Sequence, residues 1–322
     1  MRRRLIVLSL VPHAVLAVAA CSSASPQCRV GGDCASGACD ANGQCVPVGS
    51  AHADGGTSLD GAAASGEGGP GADGGAPADA TGGGSDAAGL CVPNNDGVIV
   101  REEIPMMAGL HANFEIAENV TVDSVGVTNA NGTRSWDLTG PYSGDHTVLV
   151  TTDAPAGQWF SAQFPAATYT SKLSDTSTLL GIFQDTSSAL QMQGVASPSS
   201  GTGQTELTYA PPAEVLGVPM QLGTSWSSTS NITGTASGLV SDYVEQWTSK
   251  VDAVGTLVVP FGTFNVMRVQ TTLTRNDLGV VSVTQSLTFV AECFGPVASL
   301  TSQGDEAQTE FTNAAEVRRL TP

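Results

Sequence analysis

Phe264-Asn-Val-Met-Arg-Val-Gln-Thr-Thr-Leu-Thr274, then Arg275-Asn-Asp-Leu-Gly279, then Val280-Val-Ser-Val-Thr-Gln-Ser-Leu-Thr-Phe-Val290, is the stretch that decides the fold. Two runs rich in β-branched and aromatic residues flank a short segment containing Asn, Asp and Gly, the chemistry of a hairpin. Successive side chains on a strand point to opposite faces. Val266, Arg268, Gln270, Thr272 and Thr274 are therefore expected on one face, with Met267, Val269, Thr271 and Leu273 on the other.

The same pattern recurs through the C-terminal two thirds of the chain. Thr133–Thr139, His146–Thr152, Gln158–Phe164, Gln204–Tyr209 and Val240–Trp247 read as further strands, punctuated by Pro, Gly and Asn. Helical periodicity is absent except for a turn or two expected near Asp175–Leu190. The reading is an all-β antiparallel fold, a sandwich or an open (half-)barrel, over residues 90–322.

Upstream, residues 49–89 are mainly Gly, Ala, Asp and Ser, with Leu59 the one large aliphatic residue and no Lys or Arg. Such a segment has too little apolar surface to offset the entropy of ordering and reads as a disordered linker. Its reach as a Gly-rich chain is roughly 35 Å. Residues 21–48 carry Cys28, Cys34, Cys39 and Cys45 with few apolar side chains, so cross-links are expected to supply their order. Four cysteines allow three pairings, and the spacing does not choose among them. The gaps suit zinc poorly, since they form no close chelating pairs and no His lies nearby. Residues 1–20 have the three parts of a secretory leader: Arg2, Arg3 and Arg4, an apolar run from Leu5 to Val18, and the small pair Ala19-Ala20.

Val18-Ala19-Ala20-Cys21 resembles the bacterial lipobox, with Val18 where that pattern prefers Leu. The resemblance implies a diacylated Cys21 thiol, cleavage of the leader before it, and anchorage in a bacterial cell envelope. Ser22, rather than Asp, after the cysteine implies sorting to the outer membrane. It also resolves an odd count: of seven cysteines, lipidated Cys21 leaves six. Cys91 and Cys293 flank the β domain, and their pairing would close a loop of about 200 residues. The cysteine cluster itself is similar to short Cys-rich knuckles of exported bacterial proteins. Three further segments, Val218–Trp226, Val258–Phe264 and Phe294–Ala298, resemble parts of uncharacterised periplasmic and lipoprotein β-domains. That likeness implies a curved antiparallel sheet or half-barrel akin to lipoprotein carriers, with Phe264 as an inward anchor and no catalytic residue.

Charge narrows the function. The formal balance is −18, and without the three leader arginines 9 basic residues face 30 acidic ones. So acidic a surface repels phosphate backbones and argues against nucleic-acid binding. For metals, Val92–Glu103 follows the spacing of a calcium loop, with Asn94, Asp96 and Glu103 at oxygen-ligand positions and Gly97 at the sharp turn. Val92 stands where an aspartate ordinarily ligates, and Pro105 blocks an exiting helix. An Asn-Asn-Asp-Gly turn leading into a Val98–Ile104 strand is the competing reading. For catalysis, His111 and His146 are the bases available in the β domain, and no nucleophile motif accompanies them. Trp136, Trp159, Trp226 and Trp247 are expected in the core. The expectation is a lipid-anchored envelope protein that acts by binding or structural display, without catalysis or cofactor. Its partners would be the membrane, through the lipid, and an apolar ligand or another envelope component. The alternatives are an extracytoplasmic hydrolase and a calcium-dependent adhesive module.

Overall fold

The computed structural model describes residues 91–322. Cys21, the knuckle cysteines and the linker lie outside the described residues, as does everything expected of them. Among the described residues the regular structure is strand, with one 3-10 turn at Arg101–Glu103. In chain order the first strands are β1 His111–Thr121, β2 Val127–Thr128, β3 Arg134–Asp137, β4 His146–Asp153 and β5 Tyr169–Lys172. They are followed by β6 Leu180–Asp185, β7 Ala189–Ala196, β8 Glu206–Gly217, β9 Ser225–Ala236 and β10 Leu239–Val259. The last four are β11 Gly262–Asp277, β12 Val280–Ala291, β13 Gly295–Ser302 and β14 Asn313–Thr321.

Twelve of these close into an antiparallel barrel in the order β11-β12-β13-β14-β1-β4-β5-β6-β7-β8-β9-β10, with β10 returning to β11. The all-β antiparallel reading holds. Between sandwich and open barrel, the pairing gives a barrel whose seam is shut. Closure removes the exposed edges that an open sheet would present. The seam is the longest ladder in the molecule, running from Val244 opposite Asn276 to Val259 opposite Gly262. The hairpin that decided the fold pairs in register from Met267 opposite Val290 to Asp277 opposite Val280.

Following paired positions around the ring separates its faces. Val269 lies opposite Val251 and Thr288, Tyr243 opposite Ile232, Ile232 opposite Tyr209, and Tyr169 opposite Phe183. These residues face inward, while Ser225, Ser227 and Thr229 on β9 face solvent. The expected alternation in β11 is observed. Met267 and Val269 join an inner core with Ile99, Ile104, Met106, Leu216 and Val290, whereas Val266 belongs to a separate core on the outer face.

That outer core exists because β2 and β3 are added outside the ring. β3 pairs in parallel with β10 from Gly255 opposite Arg134 to Val258 opposite Asp137. It lays Trp136 and Leu138 over Leu257, Leu287, Phe289 and Val317. Phe264 is buried here too, so the anchor expected to point inward fills the outer core. Trp136 is buried as expected, its indole donating to the Ser124 carbonyl at 3.1 Å, whereas Trp159, Trp226 and Trp247 are half-buried.

Arg268 is completely buried within this outer core. Its guanidinium donates to both oxygens of Asp252 (3.0 and 2.5 Å), both of Glu310 (3.0 and 2.6 Å) and the Ser124 carbonyl (2.6 Å). Asp252 reaches it through a bulge in β10, where the register shifts between Val251 and Ala253.

Gly255 is required by the parallel junction. A Cβ there would lie 1.8 Å from the Arg134 carbonyl oxygen, a backbone atom that cannot swing aside. Gly255→Ala is expected to push β3 from β10 and destabilise the domain by about 1–3 kcal/mol, the usual cost of overpacking. Urea unfolding checks this, and an unchanged midpoint would place β3 outside the cooperative core.

Three local expectations are corrected. Gln158–Phe164 forms successive turns instead of a strand, with Gln158 N–H donating to Pro155 and Ser161 N–H to Gln158. Pro155 and Gly157 start this turn chemistry, which puts Phe160 and Phe164 on one side to cover Ile182 and Ala196. Asp175–Leu190 contains β6 and the start of β7 rather than helical turns, because the ladder partner of each supplies what helical hydrogen bonds would have. Val98–Ile104 makes one bridge, Ile99 to Met220, before the 3-10 turn, so it is no continuous strand.

Candidate functional site

Two adjoining hollows, of about 520 and 390 Å³, open where the N-terminal segment crosses the β10–β11 and β12–β13 turns. They share Asn95, Asn265 and Glu292. The local chemistry of three turns builds them.

The first turn is Asn94–Val98. Asn94 Oδ1 accepts the Asp96 N–H at 2.9 Å and Asp96 Oδ1 accepts the Val98 N–H at 2.8 Å, two overlapping Asx turns. Asn95, at φ 54°, is thereby turned over the hollow. Its N–H donates to Glu292 Oε2 at 3.0 Å, and its Oδ1 accepts from Asn265 Nδ2 at 2.8 Å. The calcium-spaced residues do converge in part. Asn94 approaches Glu103, but its Nδ2 donates to Glu103 Oε1 at 2.8 Å, and Glu103 Oε2 accepts the Val100 N–H at 3.0 Å. The oxygens of this loop thus serve the turn and the 3-10 cap.

The second and third turns bring aromatics together. Phe261 sits between β10 and β11, held by its N–H to the Leu320 carbonyl at 3.0 Å. Phe294 follows Cys293 between β12 and β13. Ring centroids of Phe264 and Phe294 lie 4.9 Å apart at 72°, and Phe261 stands 6.0 and 6.2 Å from the two. Phe264 is buried, while Phe261 and Phe294 are 46% and 45% exposed, unusual for phenylalanine. Together they form an aromatic lip on the second hollow, which Glu292 also lines.

The Cys91–Cys293 disulfide, expected from the sequence, is formed, with Cα atoms 5.4 Å apart. It staples the start of the domain to the turn bearing Glu292 and Phe294. Cys293, at φ 67°, also donates its N–H to the Glu103 carbonyl at 2.7 Å.

The candidate bases lie elsewhere. His111 and His146 are both exposed. His146 contacts the Asp175 carboxylate through Nε2 at 2.8 Å and the Gly144 carbonyl through Nδ1 at 2.9 Å, so both nitrogens are engaged. The Gly144 and Asp175 hydrogen bonds raise its pKa. Asp175 is lowered by the same contact.

Sequence reasoning missed Asn95, Asn265, Glu292, Phe261 and Phe294 as a group. The signal lay in the resemblance segments: Leu222, Phe261, Phe264 and Phe294, drawn from all three, line the two hollows. Fold and site define a class, a closed twelve-stranded antiparallel barrel domain with a disulfide-stapled, aromatic-lipped hollow at one turn cluster. No protein-family model, no curated protein and no solved structure matches the chain.

Proposed function

We propose that this chain is a lipid-anchored bacterial envelope protein whose barrel domain binds a small ligand in the hollow between Phe261, Phe294 and Glu292, without catalysis. The observation that supports binding most directly is the pair of half-exposed phenyl rings lining a hollow that also holds the buried Glu292. A few placed polar groups within an apolar wall is the usual make-up of a small-molecule site. The apolar part of a ligand is seated by the rings, which is where the expectation of an apolar ligand now rests. The disulfide beside Glu292 preorganises the hollow, which lowers the ordering cost of binding.

A melting-temperature screen of the full mature chain with amines, sugars, carboxylic acids and acyl chains tests the site. Stabilising compounds are expected, and their effect is expected to vanish in the Phe261→Ala/Phe294→Ala double variant. No stabilising compound, or hits indifferent to that variant, removes the reading.

Anchorage rests on the lipobox-like Val18–Cys21 and on the odd cysteine count. In cells fed a labelled fatty acid, the wild-type chain is expected to be labelled and to sediment with membranes. Cys21→Ser is expected to abolish both. A native chain with an unmodified Cys21 overturns this part, leaving the binding reading intact.

A further inference from the structure

We infer that the ligand of the Phe261–Phe294 hollow is an organic cation, an ammonium group on an apolar body, with Glu292 as its counter-charge; this rests on the binding reading above. Glu292 is 9% exposed and lies where the two hollows meet. Among the described residues it is the one charged residue lining either of them. The Asn95 N–H donates to its Oε2 at 3.0 Å.

Among the described residues the other fully buried carboxylate carries its own cation, as do several half-buried ones. Glu245, 1% exposed, is paired with Arg275 at 2.7 Å. Glu310 has Arg268 and Arg134, Asp252 has Arg268, Asp185 has Arg101, and Asp145 has Arg319. Among the described residues no Lys, Arg or His forms an ion pair with Glu292. A carboxylate withdrawn from water is costly unless compensated. Among the described residues that compensation is limited to the Asn95 N–H, and Glu292 lines both hollows.

The wall fits the same chemistry. Aromatic faces attract ammonium groups within about 6 Å of the ring centroid, and the half-exposed Phe261 and Phe294 line the same hollow as Glu292. Asn265 uses its Nδ2 on Asn95, which leaves its Oδ1 as a further acceptor. An anion would meet a carboxylate and no base. The formal charge of −18 raises the local concentration of cations around the whole molecule.

Calorimetric titration of the full mature chain with benzyltrimethylammonium and phenethylammonium, against the neutral counterpart 2-phenylethanol and against phenylacetate, tests the inference. The ammonium compounds are expected to bind at least ten-fold more tightly than the neutral or anionic probes. Glu292→Gln keeps an acceptor for the Asn95 N–H, so its melting temperature is expected to stay close to wild type while ammonium affinity drops ten-fold or more. Phe294→Ala is expected to weaken the same probes.

If neutral or anionic compounds bind as well, and only the Phe261 and Phe294 variants abolish binding, the cation assignment is wrong and the site stands. If no probe or screened compound binds, both fall. Stabilisation by calcium alone, lost in Glu292→Gln, would replace the ammonium with a metal.

Discussion

Arg268→Leu is expected to destabilise the domain by about 3–5 kcal/mol, the cost of breaking a buried ion pair from one side. The guanidinium lies over the Trp136 ring at 5.4 Å and satisfies two carboxylates and a main-chain carbonyl that leucine cannot. Asp252 would lose its cation and Glu310 would keep only Arg134, and the bulge that aims Asp252 would lose its purpose. Chemical unfolding of both proteins reads the difference, and a change below about 1 kcal/mol would mean that water repairs the gap.

The same network sets a pH dependence. Burial pushes the Glu310 carboxyl up, but the hydrogen bonds and charges of Arg268 and Arg134 outweigh it and hold the group below its ordinary value. A folded-state pKa below the unfolded one contributes stability above the unfolded value, and that contribution is lost as pH falls through the folded one. Wild-type stability should therefore decline below the usual carboxylate range. In Arg268→Leu that slope is expected to shrink or reverse, since burial would dominate. Unfolding midpoints taken from neutrality down through and below the usual carboxylate range check the sign.

Cys91→Ala/Cys293→Ala is the second large effect, a loss of up to about 5 kcal/mol from a bridge spanning 202 residues. The entropy restored to the unfolded chain grows slowly with loop length, so a loop this long lies near the upper end. A structural consequence accompanies the energetic one. Asn94–Val98 would be held by Asn94 on Glu103, by Asn95 on Glu292 and Asn265, and by the neighbouring Ile99–Met220 bridge. The hollow should then lose ligand affinity beyond what global unfolding explains. Denaturation midpoints and ligand titration on the same variant separate the two. An unchanged midpoint would show that strand closure alone carries the stability.

Much of the barrel was legible in the chain. The 264–290 hairpin was read with its two faces, because alternation is local and each side chain reports its own side. The Cys91–Cys293 bridge followed from cysteine parity and position. The strands at 133–139, 146–152, 204–209 and 240–247 correspond to β3, β4, β8 and β10. The failures share a cause. Gln158–Phe164 alternates like a strand, yet no edge is left for it to pair with, so Phe160 and Phe164 cap β6 and β7 as turns instead. Asp175–Leu190 looks weakly helical alone and becomes two strands because β5 and β8 supply partners.

The candidate site was less legible. Its parts were noticed for other reasons: Asn94–Gly97 for calcium spacing, Phe261–Phe264 and Phe294 for resemblance, Cys293 for parity. None announces a neighbour some 170 or 197 residues away, the separations of Asn95 from Asn265 and Glu292.

By itself the amino-acid order determined that residues 91–322 would be antiparallel strands with apolar groups on both sides of β11, since backbone geometry and side-chain alternation act over a few residues. Only the tertiary structure decided that the sheet closes on itself, that β3 covers its outside, and that the Glu292 carboxylate shares a hollow with two phenyl rings. Those outcomes depend on register and long-range pairing, which balance entropy against burial over the whole domain.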